Sequence, residues 1–301
     1  MAIDRVSDRQ TFVLLNERVG TLQAQLATLR DRVATGKAHQ TPDEDPIGAA
    51  TTVRVQSSIG ALGAYKDSVQ FGNSVLGAQF STLQQAKNLM TRAAEIATQQ
   101  STSLRTDAQR QAAAEEVHGI LQAMTALGNT TYAGRRLYSW LAQDGTPPFA
   151  DPDTPGYDAS TAYTGATQSF EVKTGDTAQE RVRVTTPGDQ VFTASLQGLQ
   201  ALETALRTNG DVAGTATALQ AGEDVLSSEA ASVGGRQSAL QDRLTQITSL
   251  TGQEQAVLTK VSEADLISTV SELSQVQTSL QALLQAAGQI FQTDLSSVIR
   301  F

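Results

Sequence analysis

The 301 residues carry a net charge of −9 and no cysteine, with hydrophobic residues at 40% but aromatics at only 5%. That balance excludes disulfides, thiolate zinc sites and a cysteine nucleophile, and argues against a groove that tracks nucleic-acid phosphates. It suits long helices with Leu, Ala and Val seams better than a thick globular core, in a chain long enough for one elongated or two compact domains.

Residues 1 to about 11 are polar, with little to hold them in place. No apolar block follows Met1-Ala2-Ile3-Asp4-Arg5, so no Sec-type signal is expected, and no window approaches a membrane span. A protein with this start leaves a cell only by a route that reads no cleavable signal. Phe12, Leu15, Val19, Leu22, Leu26, Leu29 and Val33 are then spaced 3, 4, 3, 4, 3, 4, the seam of one long helix. Thr35-Gly36 ends it, with Gly in the helix-terminating position. A polar loop follows, and Asp45-Pro46 predicts the next helix start, Asp as N-cap and Pro at the first helical position.

From Ile47 to about Gln100 the 3/4 spacing returns through Leu62, Tyr65, Val69, Gly72, Leu76, Gln79, Leu83, Ala86, Met90, Ala93 and Ala97. Gly72 and Gln79 are its weak points. At about 1.5 Å per residue, fifty helical residues span roughly 75 Å, a rod rather than a globule. Thr106 to Gln109 fits a capping box, and the next seam is Ala113, Val117, Ile120, Met124 and Leu127. Gly128-Asn129 and Gly134 break that pattern.

Residues from Trp140 to about Val191 differ from their surroundings. All prolines other than Pro42 and Pro46 fall here. Short alternating runs at 169–173 and 180–184 are bounded by Gly175-Asp176 and Pro187-Gly188-Asp189, which predicts a small β insertion. Helical spacing resumes at Leu196, Leu199, Leu202 and Leu206, and Asn209-Gly210 interrupts it. Gly234-Gly235 reads as a break or a helix start. Leu240, Leu244, Ile247, Leu258 and Val261 form a further seam. Ser262-Glu263-Ala264-Asp265 caps or kinks the chain before a last helix with the seam Leu273, Val276, Leu280, Leu283, Ala287 and Ile290.

The expected fold class is mainly α: an elongated antiparallel helical rod or coiled coil, N- and C-termini together, with a small β domain inserted at the far end. The expected domains are 1–45 and 262–301 as the two parts of a terminal coiled-coil domain. Residues 46–139 and 195–261 are the two halves of a helical rod, and 140–194 are the β insertion.

Val33-Ala34-Thr35-Gly36-Lys37, then Pro42-Asp43-Glu44-Asp45-Pro46-Ile47-Gly48, resembles the N-terminal motif of the bacterial flagellin superfamily. Glu263-Ala264-Asp265-Leu266 and Gln281-Ala282-Leu283-Leu284-Gln285-Ala286 resemble its C-terminal helix. Within it, Gly134-Arg135-Arg136-Leu137-Tyr138-Ser139, Pro147-Pro148-Phe149 and the run from Tyr163 to Phe192 resemble the hook-associated protein 3 family. Ser139-Trp140 departs from that pattern, where a small residue and Gly are expected.

The resemblance implies an extracellular structural protein at the hook–filament junction of a bacterial flagellum. It would be exported unfolded through the flagellum's own type III apparatus, without a cleavable signal. Its terminal helices would be disordered in the monomer and pair in the assembled tube. The implied role is an axial adaptor between the hook, through a neighbouring hook-associated protein, and the flagellin filament. The implied partners are further copies of the chain, that neighbour, flagellin and an export chaperone, with no nucleic acid and no membrane insertion. A filament flagellin is the alternative within the class. A helical-rod effector whose β insert recognises a ligand is the alternative outside it.

Other sites were weighed on their chemistry. Gly36-Lys37 lacks a phosphate loop's first Gly (Asp31 stands there) and its Ser or Thr (Ala38 stands there). A calcium loop starting at Asp151 would place Pro155 and Ala162 at ligand positions, so a solvated turn is the better reading. His39 lies in a loop and His118 on a helix near Glu115 and Glu116, where a surface histidine is expected rather than zinc. No ordered Ser/His/Asp set or carboxylate pair emerges, so neither catalysis nor a cofactor is expected. The middle seams read as ordinary bundle packing. The terminal seams, Phe12 to Val33 and Leu273 to Ile290, read as subunit-assembly surfaces as well, because no other apolar elements remain to cover them.

Overall fold

The computed structural model describes the backbone of residues 2–39, 41–101, 106–142, 145–177 and 179–298, and among these the side chains at 10 and 13–289. Six α-helices carry the described chain: α1 (Ala2–Thr35), α2 (Pro46–Gln100), α3 (Asp107–Gly128), α4 (Gly188–Arg207), α5 (Ala216–Ser262) and α6 (Leu266–Val298). Between α3 and α4 lie β1 (Thr131–Tyr132), β2 (Arg135–Arg136), β3 (Glu171–Lys173) and β4 (Arg181–Arg183). They form two antiparallel two-stranded ladders. The protein is mainly α with a small β insert, as the periodicity predicts.

The chain divides into two units. One holds the residues up to Gly60 and from Thr251 onward, and the other is Ala61–Leu250. The second unit contains the principal core. On α2 the predicted stripe is buried at Val69, Leu76, Leu83, Ala86, Met90 and Ala93. It packs with Val117, Leu121 and Met124 of α3, Leu196, Leu199 and Leu202 of α4, and Leu226, Val233 and Leu240 of α5. The helices approach closely where glycine allows it: a Cβ on Gly222 of α5 would lie 2.7 Å from Ser195 Cα of α4.

Local signals explain the starts of α2 and α3. Thr106 and Gln109 form the expected capping box, with Gln109 N–H donating to Thr106 Oγ1 at 3.3 Å and Thr106 N–H to Gln109 Oε1 at 3.1 Å. Asp45 Oδ1 accepts from Gly48 N–H at 2.9 Å at the start of α2. Both satisfy amides that a helix N-terminus otherwise leaves unpaired.

Three features differ from the sequence reading. The backbone of α1 is helical from Ala2, so the helix starts ahead of the heptad seam. Neither glycine nor proline interrupts residues 2–19, and nothing local stops the helix there. Gly234-Gly235 lies inside α5 rather than at a break. Val233 and Leu240 on either side are buried, and Arg236 pairs with Glu229 two turns earlier while donating to Thr186 Oγ1 at 3.2 Å. Packing of this kind outweighs the roughly 1 kcal/mol of helix propensity each glycine forfeits. Finally, α4 begins at Gly188, so the Pro187-Gly188-Asp189 signal starts a helix instead of closing a strand.

The insert packs through aromatic rings. Tyr138 and Phe192 meet edge to face at 4.7 Å, and Phe149 lies 5.0 Å from Tyr163 and 5.9 Å from Phe192. Trp140 stacks on Phe170 at 5.5 Å, with Phe71 of α2 at their edges. Asn129 fixes Phe149 from both sides of its peptide unit, accepting from its N–H at 2.9 Å and donating to its carbonyl at 3.0 Å. In the β3–β4 ladder Val172 faces Val182. Val172 seats on α2 at Gly72, where a Cβ would come within 3.0 Å of it. A weak point of the seam is thus the seat of a strand.

Gln79, the other weak point, is buried with neither amide atom hydrogen-bonded. Leaving a buried polar group unpaired costs about 1–3 kcal/mol. Gln79→Met, of similar length, is therefore expected to stabilise the second unit by about 1–2 kcal/mol. The check is a denaturant titration followed by the fluorescence of the sole tryptophan, Trp140, and an unchanged or lowered midpoint would contradict it.

Candidate functional site

The first unit brings the two chain ends together. α1 stops at Gly36, whose φ of +69° is open to glycine at little steric cost, and the Gly36 N–H donates to Arg32 O at 2.8 Å. The chain then pairs with the α5–α6 turn. Ala38 N–H donates to Ser262 O at 3.0 Å and Ala264 N–H to Gly36 O at 2.9 Å, making an antiparallel rung of Lys37 and Glu263. Asp265 caps α6, accepting from the N–H groups of Ile267 at 3.1 Å and Ser268 at 3.2 Å. The end of α1 is thereby set beside the start of α6, and the two helices run antiparallel in contact.

The two terminal seams face one another but do not cover one another. Leu26 and Leu29 are 8% and 7% exposed. Leu15, Val19, Leu22 and Val33 remain half-buried, as do Leu273, Val276, Leu280, Leu283 and Ala287. The side chains of Phe12 and Ile290 lie outside the described residues. A cleft of about 540 Å³ runs between the helices, lined by Thr21, Gln25, Thr28, Leu29, Glu272 and Val276 among others. Further apolar side chains face solvent: Ile47 is 81% exposed, Ile267 87%, with Leu14, Val53, Val270 and Leu284 also open. Each such side chain would yield about 1.5–3 kcal/mol on full burial, so this surface has substantial free energy still to gain from a further partner. Both terminal helices are formed and packed in the single chain.

The remaining candidate groups resolve individually. Gly36-Lys37 is a helix-ending turn. Asp151 Oδ1 accepts from Asp153 N–H at 3.0 Å and Asp158 Oδ1 from Ser160 N–H at 2.8 Å, the bonds of turns. His39 lies 3.6 Å from Glu44.

His118 is more engaged than its sequence neighbours suggest. Its Nδ1 is 3.0 Å from Glu203 Oε1 of α4 and its Nε2 is 2.8 Å from Asp153 Oδ1 of the insert. Those hydrogen bonds and charges raise its pKa above the ordinary value, the Asp153 bond most strongly, against an opposing effect of partial burial. Glu115, three positions before it, pairs instead with Arg207 at 2.8 Å. Sequence spacing could not reveal Asp153 and Glu203, which lie 35 and 85 residues away. Burial pushes the Tyr138 hydroxyl far above the usual range, the Glu229 charge adding to it and a hydrogen bond with Thr82 opposing it. Among the described residues no group of three or more His, Asp or Glu is placed to hold a metal ion, and no described helix is long and apolar enough to cross a membrane.

The comparisons bear on this architecture. Residues 8–141 match the family model of the bacterial flagellin N-terminal helical region. No curated protein matches the chain. Among solved structures, a protein described as flagellar hook-associated from Vibrio parahaemolyticus is 13% identical with a TM-score of 0.63, over 73% of this chain and 100% of that one. FlgL of Bacillus cereus is 16% identical with a TM-score of 0.56, over 70% of this chain and 99% of that one. Helix-ending turn, acidic loop and capped small-residue helix start all lie within the matched region, so residues 8–141 are similar to the bacterial flagellin N-terminal helical region, and the chain shares its fold with these two solved structures.

Proposed function

We propose that the protein is a structural subunit of the bacterial flagellum, working as an axial adaptor at the hook–filament junction. The observation that carries this reading is the pair of terminal helices, each with an apolar stripe only half covered by the other. A stripe of this kind is completed by neighbouring copies packed side by side. A neighbouring hook-associated protein on one side and flagellin on the other would complete the contacts. Export would be by the type III route with an export chaperone, to a place outside the cell. The role is packing, for which no cofactor is needed.

A deletion strain tests the proposal. The expected result is hooks without filaments and flagellin lost to the medium, and normal swimming would refute it. A filament flagellin is the second reading, supported by the flagellin N-terminal match. That protein would grow long filaments alone, and labelled antibody would decorate the whole filament rather than its base.

A further inference from the structure

We propose that His118 is a proton-operated latch: as an imidazolium it ties Asp153 of the insert loop to Glu203 of α4, and loss of its proton releases that loop from α3. The geometry requires two donors. Glu203 Oε1 lies 3.0 Å from Nδ1 and Asp153 Oδ1 lies 2.8 Å from Nε2. Ionised carboxylates only accept, and neutral imidazole has one N–H, so both bonds exist together only when both ring nitrogens carry protons.

The surrounding charges are accounted for on each element. On α4, Arg207 is committed to Glu203 at 2.9 Å and reaches Glu115 of α3 at 2.8 Å, so it does not neutralise Asp153. On the loop, Asp151 sits beside Asp153 and accepts its N–H. On α3, Gln122 donates to Asp153 Oδ2 at 2.9 Å, a neutral fastener that survives deprotonation but is the weaker kind. A neutral His118 that keeps its Nδ1–H toward Glu203 presents a lone pair at Nε2, which accepts from Gln122 Nε2–H at 3.4 Å and no longer donates to Asp153.

Neutral bonds hold the two ends of the loop independently of the proton. Asn129 pins Phe149 on one side. Gln200 of α4 pins the other, accepting from Ala159 N–H and donating to Tyr157 O, both at 2.9 Å. Ala150 N–H also donates to Ala162 O at 2.9 Å, so the span left to Asp153 is residues 151–156, mostly exposed and containing Pro152, Pro155 and Gly156. It walls a cleft of about 500 Å³ against Gln122, Thr125 and Ala126 of α3. Release of Asp153 widens that cleft without unfolding the core beneath it.

The direction with pH follows from the sign of the shift. A histidine whose pKa is raised on folding contributes stability in full below its unfolded pKa of about 6.5, and loses it as pH rises through the folded pKa. The span is closed in mild acid and opens on the alkaline side.

NMR titration of the full chain tests this, with His39→Gln used to assign the two histidines. The expected midpoint of His118 lies above about 6.5, and the amide signals of Asp153 and Thr154 follow it. Asp153→Asn, an exposed change, is expected to lower the midpoint. Glu203→Gln is expected to lower it too, and His118→Gln to abolish the titration of the two amides. A midpoint at or below 6.5, no response to Asp153→Asn, or loop amides that ignore the titration would each overturn the latch. A midpoint that moves on adding EDTA would replace the proton by a metal ion.

Discussion

Phe149→Ala is expected to destabilise the second unit by about 3–5 kcal/mol, the upper range for removing a buried aromatic ring. The magnitude follows from how little the site can relax. The ring is 2% exposed, and two glycines have given it their Cβ space. A Cβ on Gly128 or on Gly188 would lie 2.7 Å from it. Its peptide unit is held by Asn129, and Tyr163 and Phe192 pack on its faces and edges. A truncated side chain therefore leaves a cavity ringed by backbone that has no reason to close. The loss is read by denaturant unfolding followed at Trp140. A change below about 1 kcal/mol would show that the insert is not locked onto the helices through this ring.

The second large effect concerns assembly. Leu26→Asp places a carboxylate in the best-buried part of the α1–α6 seam. An unpaired buried charge costs several kcal/mol, and about 3 kcal/mol already corresponds to more than a hundredfold in an association constant. Assembly of purified chains is expected to disappear on electron microscopy and sedimentation, while Trp140-detected unfolding of the second unit stays unchanged. Ile267→Ser separates two causes. This side chain points to solvent at the start of α6, so the α1–α6 pair within one chain keeps its contacts. A loss of assembly with Ile267→Ser places the requirement on the outward surface. Loss with Leu26→Asp only would place it on the intramolecular pair.

The helices were legible where the chain carries its own punctuation. Asp45-Pro46 and the 3/4 spacing locate α2 from Pro46 to Gln100, and the Thr106/Gln109 pair opens α3 with its capping box. Those signals act within a few residues. What escaped depends on residues distant in sequence. Gly72 looks like a defect until Val172 arrives against it. Gly234-Gly235 looks like a break until the partners of Val233 and Arg236 are known. His118 reads as an ordinary surface histidine because Asp153 and Glu203 come from other elements. The terminal seams were visible as pattern, but a periodicity does not state how much of a stripe its partner covers. The half-burial of Leu22 and Leu280 is a property of two helices that, among the described residues, meet chiefly each other.

The rung that joins Gly36 and Ala38 to Ser262 and Ala264 has a consequence for the order of folding. Its partners come from distant parts of the chain, and the pairing it sets up needs α6, which is made last of the six helices. During synthesis α1 emerges first and stays without its partner until the ribosome has passed Leu266. By then every residue of the second unit, which ends at Leu250, has already been made. Refolding should accordingly show two kinetic phases. Trp140 reports the early one, and the late one is absent from a chain that stops before α6.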